Sequence, residues 1–319
     1  MAGVCAPAGE RRKALLVGAA LGTLPDLDVF IDYGDAVRNF TYHRGFSHSL
    51  FVLAPFSVLL WLALRRWWAP VRAAPGPWLA AIALALLTHP LLDAHTAYGT
   101  QLFWPVPVPP TMWGTIFIID PLYTLPLLVG VLGAIFATKT ATARKMLRVG
   151  VALSTVYLGW TWIGQSLVAT KVEDALAARG LGDAPVFITP TPLNTLLWRI
   201  VAQTESGYLE GFESLIADEE SIHFESYESD RKALLNARDV WAVQRLRWFS
   251  SDFVKASVVE GRLLLTDLRM GQEPMYVFTH VVAERGNPHW KAIPTEHIPI
   301  EIEDRALGRT WQRIWMSGD

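Results

Sequence analysis

Between Phe46 and Ala137 only Arg65, Arg66, Arg72, Asp93 and Asp120 carry charge. A water-soluble helical bundle of that length needs far more polar surface than five charged side chains supply. A bilayer is the fitting solvent, and a helix crossing one needs about 20 mostly apolar residues because its backbone must satisfy its own hydrogen bonds. Five stretches approach that requirement, roughly Ala14 to Ile31, Ser49 to Leu64, Trp78 to Leu92, Thr115 to Ala137 and Leu147 to Ala169. The first and third are the weakest, being short or interrupted by Pro25, Asp26, Asp28 and His89. The expected architecture is an α-helical membrane bundle of about five transmembrane helices followed by a soluble α+β domain with an antiparallel sheet.

Charge divides the chain at the same place. The first 170 residues hold 19 charged side chains with a net charge of +5, and the last 149 hold 39 with a net charge of −7. Two domains follow, 1–170 in the membrane and 171–319 outside it. Neither shows the concentrated basic face of a nucleic-acid binder. The lone cysteine, Cys5, excludes an intrachain disulfide and any Cys-based zinc cluster, so a metal would have to rest on His and carboxylates.

Lys and Arg in short loops resist translocation. They gather in three groups: Arg11, Arg12 and Lys13; Arg65, Arg66 and Arg72; and Lys139, Arg144, Lys145 and Arg148. Five crossings put all three on one side, the loops opposite holding only Arg38 and Arg44. The amino terminus is then cytoplasmic and everything after Ala169 extracytoplasmic. The amino-terminal basic group before an apolar run imitates a signal peptide, but no small-residue cleavage site follows that run.

Beyond Lys171 charged residues become frequent. Alternating patterns predict strands in Trp198 to Gln203, Val254 to Val259, Arg262 to Leu268 and Met275 to Val282, the last two forming a hairpin through Met270 to Pro274. A helix is expected over Asp230 to Leu246, capped by Ser229 or Asp230. His223, His280, His289 and His297 lack ligand spacing and are expected to be surface or half-buried side chains. No nucleophile elbow, Walker loop, dinucleotide fingerprint or H-E-x-x-H occurs.

Charged side chains in membrane segments cost a few kcal/mol each, about what a protein interior, a metal or water must offset. Here they collect at one depth. Asp26 and Asp28 follow Pro25 near the outer end of the first segment, and in an extended backbone residues two apart face the same way. His43, Arg44 and His48 precede the second segment, with Gly45 permitting a tight turn and Ser47 a cap. His89 and Asp93 stand four apart on one face of the third. Asp26, Asp28, His43, His48, His89 and Asp93 are therefore the candidate metal ligands, enough for one open site or two bridged ions. Without thiolates the set suits Zn²⁺, Mn²⁺ or Fe²⁺, zinc first. Asp26, Asp28 and Arg44 are the catalytic candidates; Arg44 either clamps an anionic substrate or balances nearby carboxylates. Asp120 is expected to cap or to support the site from behind, and His95 to point away.

The motifs Leu24-Pro25-Asp26-Leu27-Asp28, His43-Arg44-Gly45-Phe46-Ser47-His48-Ser49 and His89-Pro90-Leu91-Leu92-Asp93 with Thr96 and Gly99 resemble those of the YdjM-type bacterial membrane-bound metal-dependent hydrolases, also described as LexA-regulated. The likeness is firm over about Ala14 to Gly114, and Thr189-Pro190-Thr191-Pro192-Leu193-Asn194 is similar to the longer members. It implies an inner-membrane, multi-pass protein with hydrolase activity. Members usually open with an extra apolar segment, and Met1 to Gly9 is similar to the end of one, so an upstream start would change the side of the amino terminus but not the later charge clusters.

The expected function is metal-dependent hydrolysis of a phosphoester or other lipid-linked ester at the membrane interface. The alternative is a non-enzymatic membrane protein with a structural metal and an outer domain that binds a protein partner. A transporter fits less well, because the polar residues cluster at one face and not at the midplane.

Overall fold

The computed structural model describes residues 1–287, 289–300 and 306–317. A short α1 (Ala2–Cys5) is followed by α2 (Arg11–Thr23), α3 (Ala36–Tyr42), α4 (Leu50–Trp67), the single-turn α5 (Ala69–Ala73), α6 (Pro75–Asp93), α7 (Pro121–Phe136) and the 38-residue α8 (Thr140–Ala177). Of these, α4, α6 and α8 are long and apolar enough to cross a membrane. The five crossings expected are not confirmed. The first stretch forms only 13 residues of α-helix before Pro25 opens a 3-10 helix, Pro25–Phe30, and the fourth yields the 16-residue α7.

The helices alternate in direction and pack through small residues. On α7 and α8, a Cβ on Gly150 would meet the Pro126 carbonyl oxygen at 2.5 Å, and one on Gly130 the Met146 carbonyl oxygen at 2.9 Å. Close backbone approach of this kind is how apolar helices associate where lipid offers no hydrophobic drive. At one end of the bundle Arg11 donates to the Ala137 carbonyl, and Ala2, Ala6 and Ala14 pack with Val71 and Trp78. The three basic groups thus share an end.

At the other end α8 continues without a break past residue 170 and becomes part of a carboxy-terminal domain. Val168, Val172 and Leu176 form one core with Trp198, Ile200, Leu209 and Phe224. This core backs an antiparallel sheet of β1 (Val186–Pro190), β2 (Leu197–Gln203), β3 (Gly207–Ser214) and β4 (Phe224–Glu228) in chain order. The short α9 (Arg231–Asn236) and α10 (Trp241–Phe249) lead to a second antiparallel sheet. It contains β5 (Val254–Val259), β6 (Arg262–Asp267), β9 (Thr279–Glu284) and β10 (Lys291–Ile298), ordered β10-β9-β6-β5. Between β6 and β9 the chain makes a two-stranded ribbon, β7 (Gly271–Gln272) with β8 (Met275–Tyr276). The expected hairpin therefore exists as the β6–β9 pair, with Met275 to Val282 split over two strands. The expected helix over Asp230 to Leu246 is two helices separated at Ala237 to Val240, and Asp230 does cap the first by accepting from Ala233 N. A final helix, α11 (Ala306–Trp315), packs on β3.

The carboxy-terminal domain also grips the loops between the helices of the bundle. Val37 and Phe40 of α3 and Tyr98 belong to the core built by α10, β5 and β6. Arg245 of α10 donates to both the hydroxyl and the carbonyl of Thr41, and Thr295 of β10 donates to Asp35 and accepts from Val37 N. The buried Arg269 fixes the loop after α6, stacking over Phe249 and pairing with Asp267. Gly99, at φ +104°, leaves the room this needs, since a Cβ there would meet Arg269 Nη1 and Pro110 Cβ at 3.2 Å each. His280 of β9 is buried beside Phe40, and burial pushes its pKa down to about 4.

Candidate metal centre

Three chain segments end at one point on the domain side of the bundle. The first is the 3-10 turn Pro25–Phe30, which carries Asp26 and Asp28. The second runs from the end of α3 through a tight turn to Ser49, which caps α4 by accepting from Phe51 N. Gly45 makes that turn possible, because a Cβ there would meet the Tyr42 carbonyl oxygen at 2.7 Å. The third is the last turn of α6, where His89 and Asp93 project from one face as their spacing requires.

Asp26, His48, His89 and Asp93 each offer one ligand atom to a group whose members all lie within 4.8 Å of one another. The distances are narrower than that limit. His48 Nε2 stands 3.2 Å from His89 Nε2, 3.3 Å from Asp26 Oδ1 and 3.1 Å from Asp93 Oδ2. His89 Nε2 stands 3.2 Å from Asp26 Oδ1 and 3.3 Å from Asp93 Oδ2. A tetrahedron of nitrogen and oxygen ligands at roughly 2.0–2.1 Å from zinc has edges of roughly 3.3–3.4 Å. The five donor separations match that figure.

The hydrogen-bond network says which atoms are free to ligate. Ser47 Oγ lies 2.5 Å from Asp28 Oδ2 and 2.9 Å from His48 Nδ1. An ionised carboxylate only accepts, so the single hydroxyl proton goes to Asp28 and His48 Nδ1–H must donate to Ser47. His48 Nε2 is then bare, and it points into the cluster. A proton on His89 Nε2 cannot serve His48 Nε2, Asp26 Oδ1 and Asp93 Oδ2 together. Asp93 Oδ2 is in fact buried and, among the described residues, has no partner with hydrogen-bonding geometry. Lone pairs crowded round one point and short of protons are what a divalent cation satisfies, so the residues present fit a metal ion.

Asp28 and His43 stand one layer back from this group. Asp28 Oδ1 is 2.7 Å from His43 Nδ1, while Oδ2 accepts from Arg44 N and Ser47. Both carboxylate oxygens are thereby committed to the turn that presents His48. An extended backbone after Pro25, as expected from the sequence, would aim both aspartates one way. The segment is instead a 3-10 helix, in which residues two apart diverge by about 120°. Asp26 consequently meets the histidines and Asp28 meets the turn. Behind a metal-ligating imidazole such a carboxylate fixes tautomer and ring orientation.

Arg44 is buried in the left-handed region at φ +57°. Its guanidinium donates to Thr96, lies 3.5 Å from Asp93 Oδ2 and sits 4.9 Å above the Tyr98 ring. Asp120 caps α7 by accepting from Leu122 N and Tyr123 N, and also accepts from Tyr157. His95 turns away to Leu91 O and packs edge-on against Trp113. Among the described residues no second metal-ligating group is found, and His223, His280, His289 and His297 contribute to none.

Burial is asymmetric: the His48 side chain is 0% exposed and that of Asp26 is 48% exposed. The cluster is therefore closed on the side of the bundle and open at Asp26. Val29, Phe30 and Ile31, immediately after the aspartates, and Phe103, Trp104, Ile118 and Ile119 on the neighbouring loops are exposed apolar side chains. The ligand-bearing end of the bundle thus presents an apolar collar.

The inner membrane protein YbcI of Escherichia coli (strain K12) is 36% identical over 95 residues, which are 29% of this chain and 52% of YbcI. The chain thus spans about half the length of that relative. No solved structure matches. The family model described as YdjM inner membrane protein matches residues 1–168, more than half of the chain and all of the ligand-bearing segments, so this protein belongs to the YdjM inner membrane protein family.

Proposed function

We propose that this protein is a metal-dependent hydrolase that cleaves a phosphoester or other lipid-linked ester at the membrane interface. The observation that carries the reading is the four-donor cluster of Asp26, His48, His89 and Asp93, closed from behind and open at Asp26. The ion, zinc by the chemistry of the donor set, would be held by those four side chains. A bound divalent ion supplies a Lewis acid for a phosphoryl or carbonyl oxygen and brings the pKa of water near neutrality.

The chain's own residues supply the rest. Asp28, through Ser47, holds the His48 ring in one tautomer with Nε2 bare. Asp26, the most exposed of the four, gives Oδ1 to the cluster and keeps Oδ2 outside it, so Oδ2 is the base placed to take a proton from water that enters at that open side. Arg44, fixed by Thr96, Asp93 and Tyr98, provides an immobile positive charge beside the cluster, which favours an anionic transition state without reorganisation. The exposed apolar side chains on the neighbouring segments support a lipid substrate, since leaving Phe30, Phe103 and Ile119 in water is costly and at headgroup depth is not. The basic groups at the far end of the bundle support a cytoplasmic location for that end and an extracytoplasmic one for the site and the outer domain.

The test is turnover by the full chain reconstituted in lipid, against a panel of phosphoester and carboxyl-ester lipids. Release of the headgroup or acyl product is expected to vanish on chelation and to return with one divalent ion. Undiminished turnover after exhaustive metal stripping would rule the mechanism out. Stoichiometric metal with no turnover on any lipid favours the non-enzymatic reading.

A further inference from the structure

The carboxy-terminal helix α11 has one packed face and one bare one. Ile314 is buried, its carbonyl accepts from Ser214 Oγ at 2.7 Å, and Arg313 binds both oxygens of Asp218 at 2.6 and 2.9 Å. Beside this packed edge the helix carries Trp311, 56% exposed, and Trp315, 57% exposed, with ring centroids 6.2 Å apart; Met316 follows at 63%. Four residues apart on a helix, the two indoles share a face. The ties through Ser214 and Asp218 prevent that face from rotating inward.

The position of this face relative to α8 identifies its surroundings. Leu215 packs at Gly164 of α8, where a Cβ would meet Leu215 Cδ1 at 3.5 Å. Gly164 lies between Ile163 and Leu167, exposed apolar residues of a helix that crosses the membrane. Seven residues on, about 10 Å along the axis, Lys171 pairs with Glu213 and donates to the Asp218 carbonyl at 2.9 Å. The strip Ser214 to Asp218 that holds α11 therefore runs beside the last lipid-facing turns of α8 and the first charged turn beyond them. Ile216, in the middle of that strip, is also exposed.

We infer that α11 is an interfacial helix that docks the outer domain onto the bilayer, with Trp311, Trp315 and Ile216 in the boundary between headgroups and acyl chains. Indole rings prefer this zone, where an apolar body and a polar N–H are both accommodated, and an amphipathic helix binds there through its apolar face. The strip that holds α11 runs beside the lipid-facing turns of α8, which makes lipid the occupant of the bare surface. The carboxy-terminal domain, already tied to α8 and to the loops that carry Asp35 and Thr41, is then also held at the bilayer by α11 and cannot tilt away from the metal centre. This inference is independent of any catalytic activity.

The test uses the full chain in lipid nanodiscs. Cys5 is the sole cysteine, so a Cys5→Ser background allows an environment-sensitive fluorophore to be placed by Trp311→Cys, by Trp315→Cys and, as a control, by Val259→Cys at the exposed tip of the β5–β6 hairpin. The replaced side chains are exposed, so the packed face of α11 is untouched, and two labelled positions guard against failure of either. Expected at 311 and 315 are blue-shifted emission, quenching by lipids with a spin label high on the acyl chain, and protection from aqueous iodide. At 259 iodide quenches and spin-labelled lipid does not. Emission and iodide quenching at 311 and 315 equal to those at 259 would overturn the inference. So would protection that appears only when each disc holds two copies, which would mark the surface as a contact between chains.

Discussion

His48→Ala is expected to empty the metal centre. Elemental analysis of detergent-purified protein should find a divalent metal near one per chain in the wild type and none retained by the variant. The size of the effect follows from geometry: His48 Nε2 is a common vertex of the short donor contacts, and its ring is wholly buried. Replacing it leaves a void where no other described side chain offers a ligand. Asp28→Asn should behave differently. It keeps all four ligand atoms but loses an acceptor for Ser47 and His43, and carboxylates behind a ligating histidine contribute about 10–100-fold in affinity. The expected result is weakened metal binding in a competitive chelator titration, with full stoichiometry at saturating metal. Equal metal loss in both variants would put Asp28 among the direct ligands.

Glu210→Ala is expected to have the largest effect on stability, about 3–5 kcal/mol, because it strands a buried charge. Arg199 of β2 and Glu210 of β3 are paired at 2.5 Å with almost no exposure, and Arg199 also donates to the Leu268 carbonyl and to Tyr276. The pair thus ties the first sheet to the second. Thermal unfolding followed by tryptophan fluorescence should show a clear fall in Tm for Glu210→Ala. The double change Arg199→Met with Glu210→Leu should recover much of it, since an apolar pair of similar volume needs no compensation. An unchanged Tm in the single variant would contradict the assignment of this pair as a buried tie.

The same pair explains part of what could not be read in advance. Strand β3 is Gly207-Tyr208-Leu209-Glu210-Gly211-Phe212-Glu213-Ser214, and its two glutamates give it a polar look. Both are buried, Glu210 against Arg199 and Glu213 against Lys171. Hydrophobic periodicity cannot register a charge whose partner lies on another element. By contrast β2, β5 and β6 were legible because apolar side chains dominate their buried positions, even with Arg199 in β2 and Thr266 and Asp267 in β6, as were α4, α6 and α8 because lipid imposes length and composition together. The break between α9 and α10 and the shortness of α2 depend on where the chain turns to pack, which local pattern does not encode.

At the metal centre the residue types and their common depth were legible, since His89 and Asp93 announce themselves by helical spacing and the other polar residues stand out against apolar neighbours. The division of labour was not. Whether Asp26 or Asp28 faces the histidines depends on the backbone after Pro25, and a 3-10 turn gives the opposite answer from an extended strand. His43 and His48 likewise separate only because the turn at Gly45 sends one imidazole to Asp28 and the other to the cluster. The role of the outer domain in gripping Thr41 and Asp35 had no local signal, because Arg245 and Thr295 are more than 200 residues away in sequence.

X-ray absorption at the edge of the metal retained by the purified full chain addresses the cluster most directly. The account predicts one ion per chain, with a first shell of two imidazole nitrogens and carboxylate oxygens near 2.0–2.1 Å, roughly the range for zinc, and loss of one imidazole contribution in His89→Ala. A chain that retains no metal, or a first shell without imidazole, would contradict it.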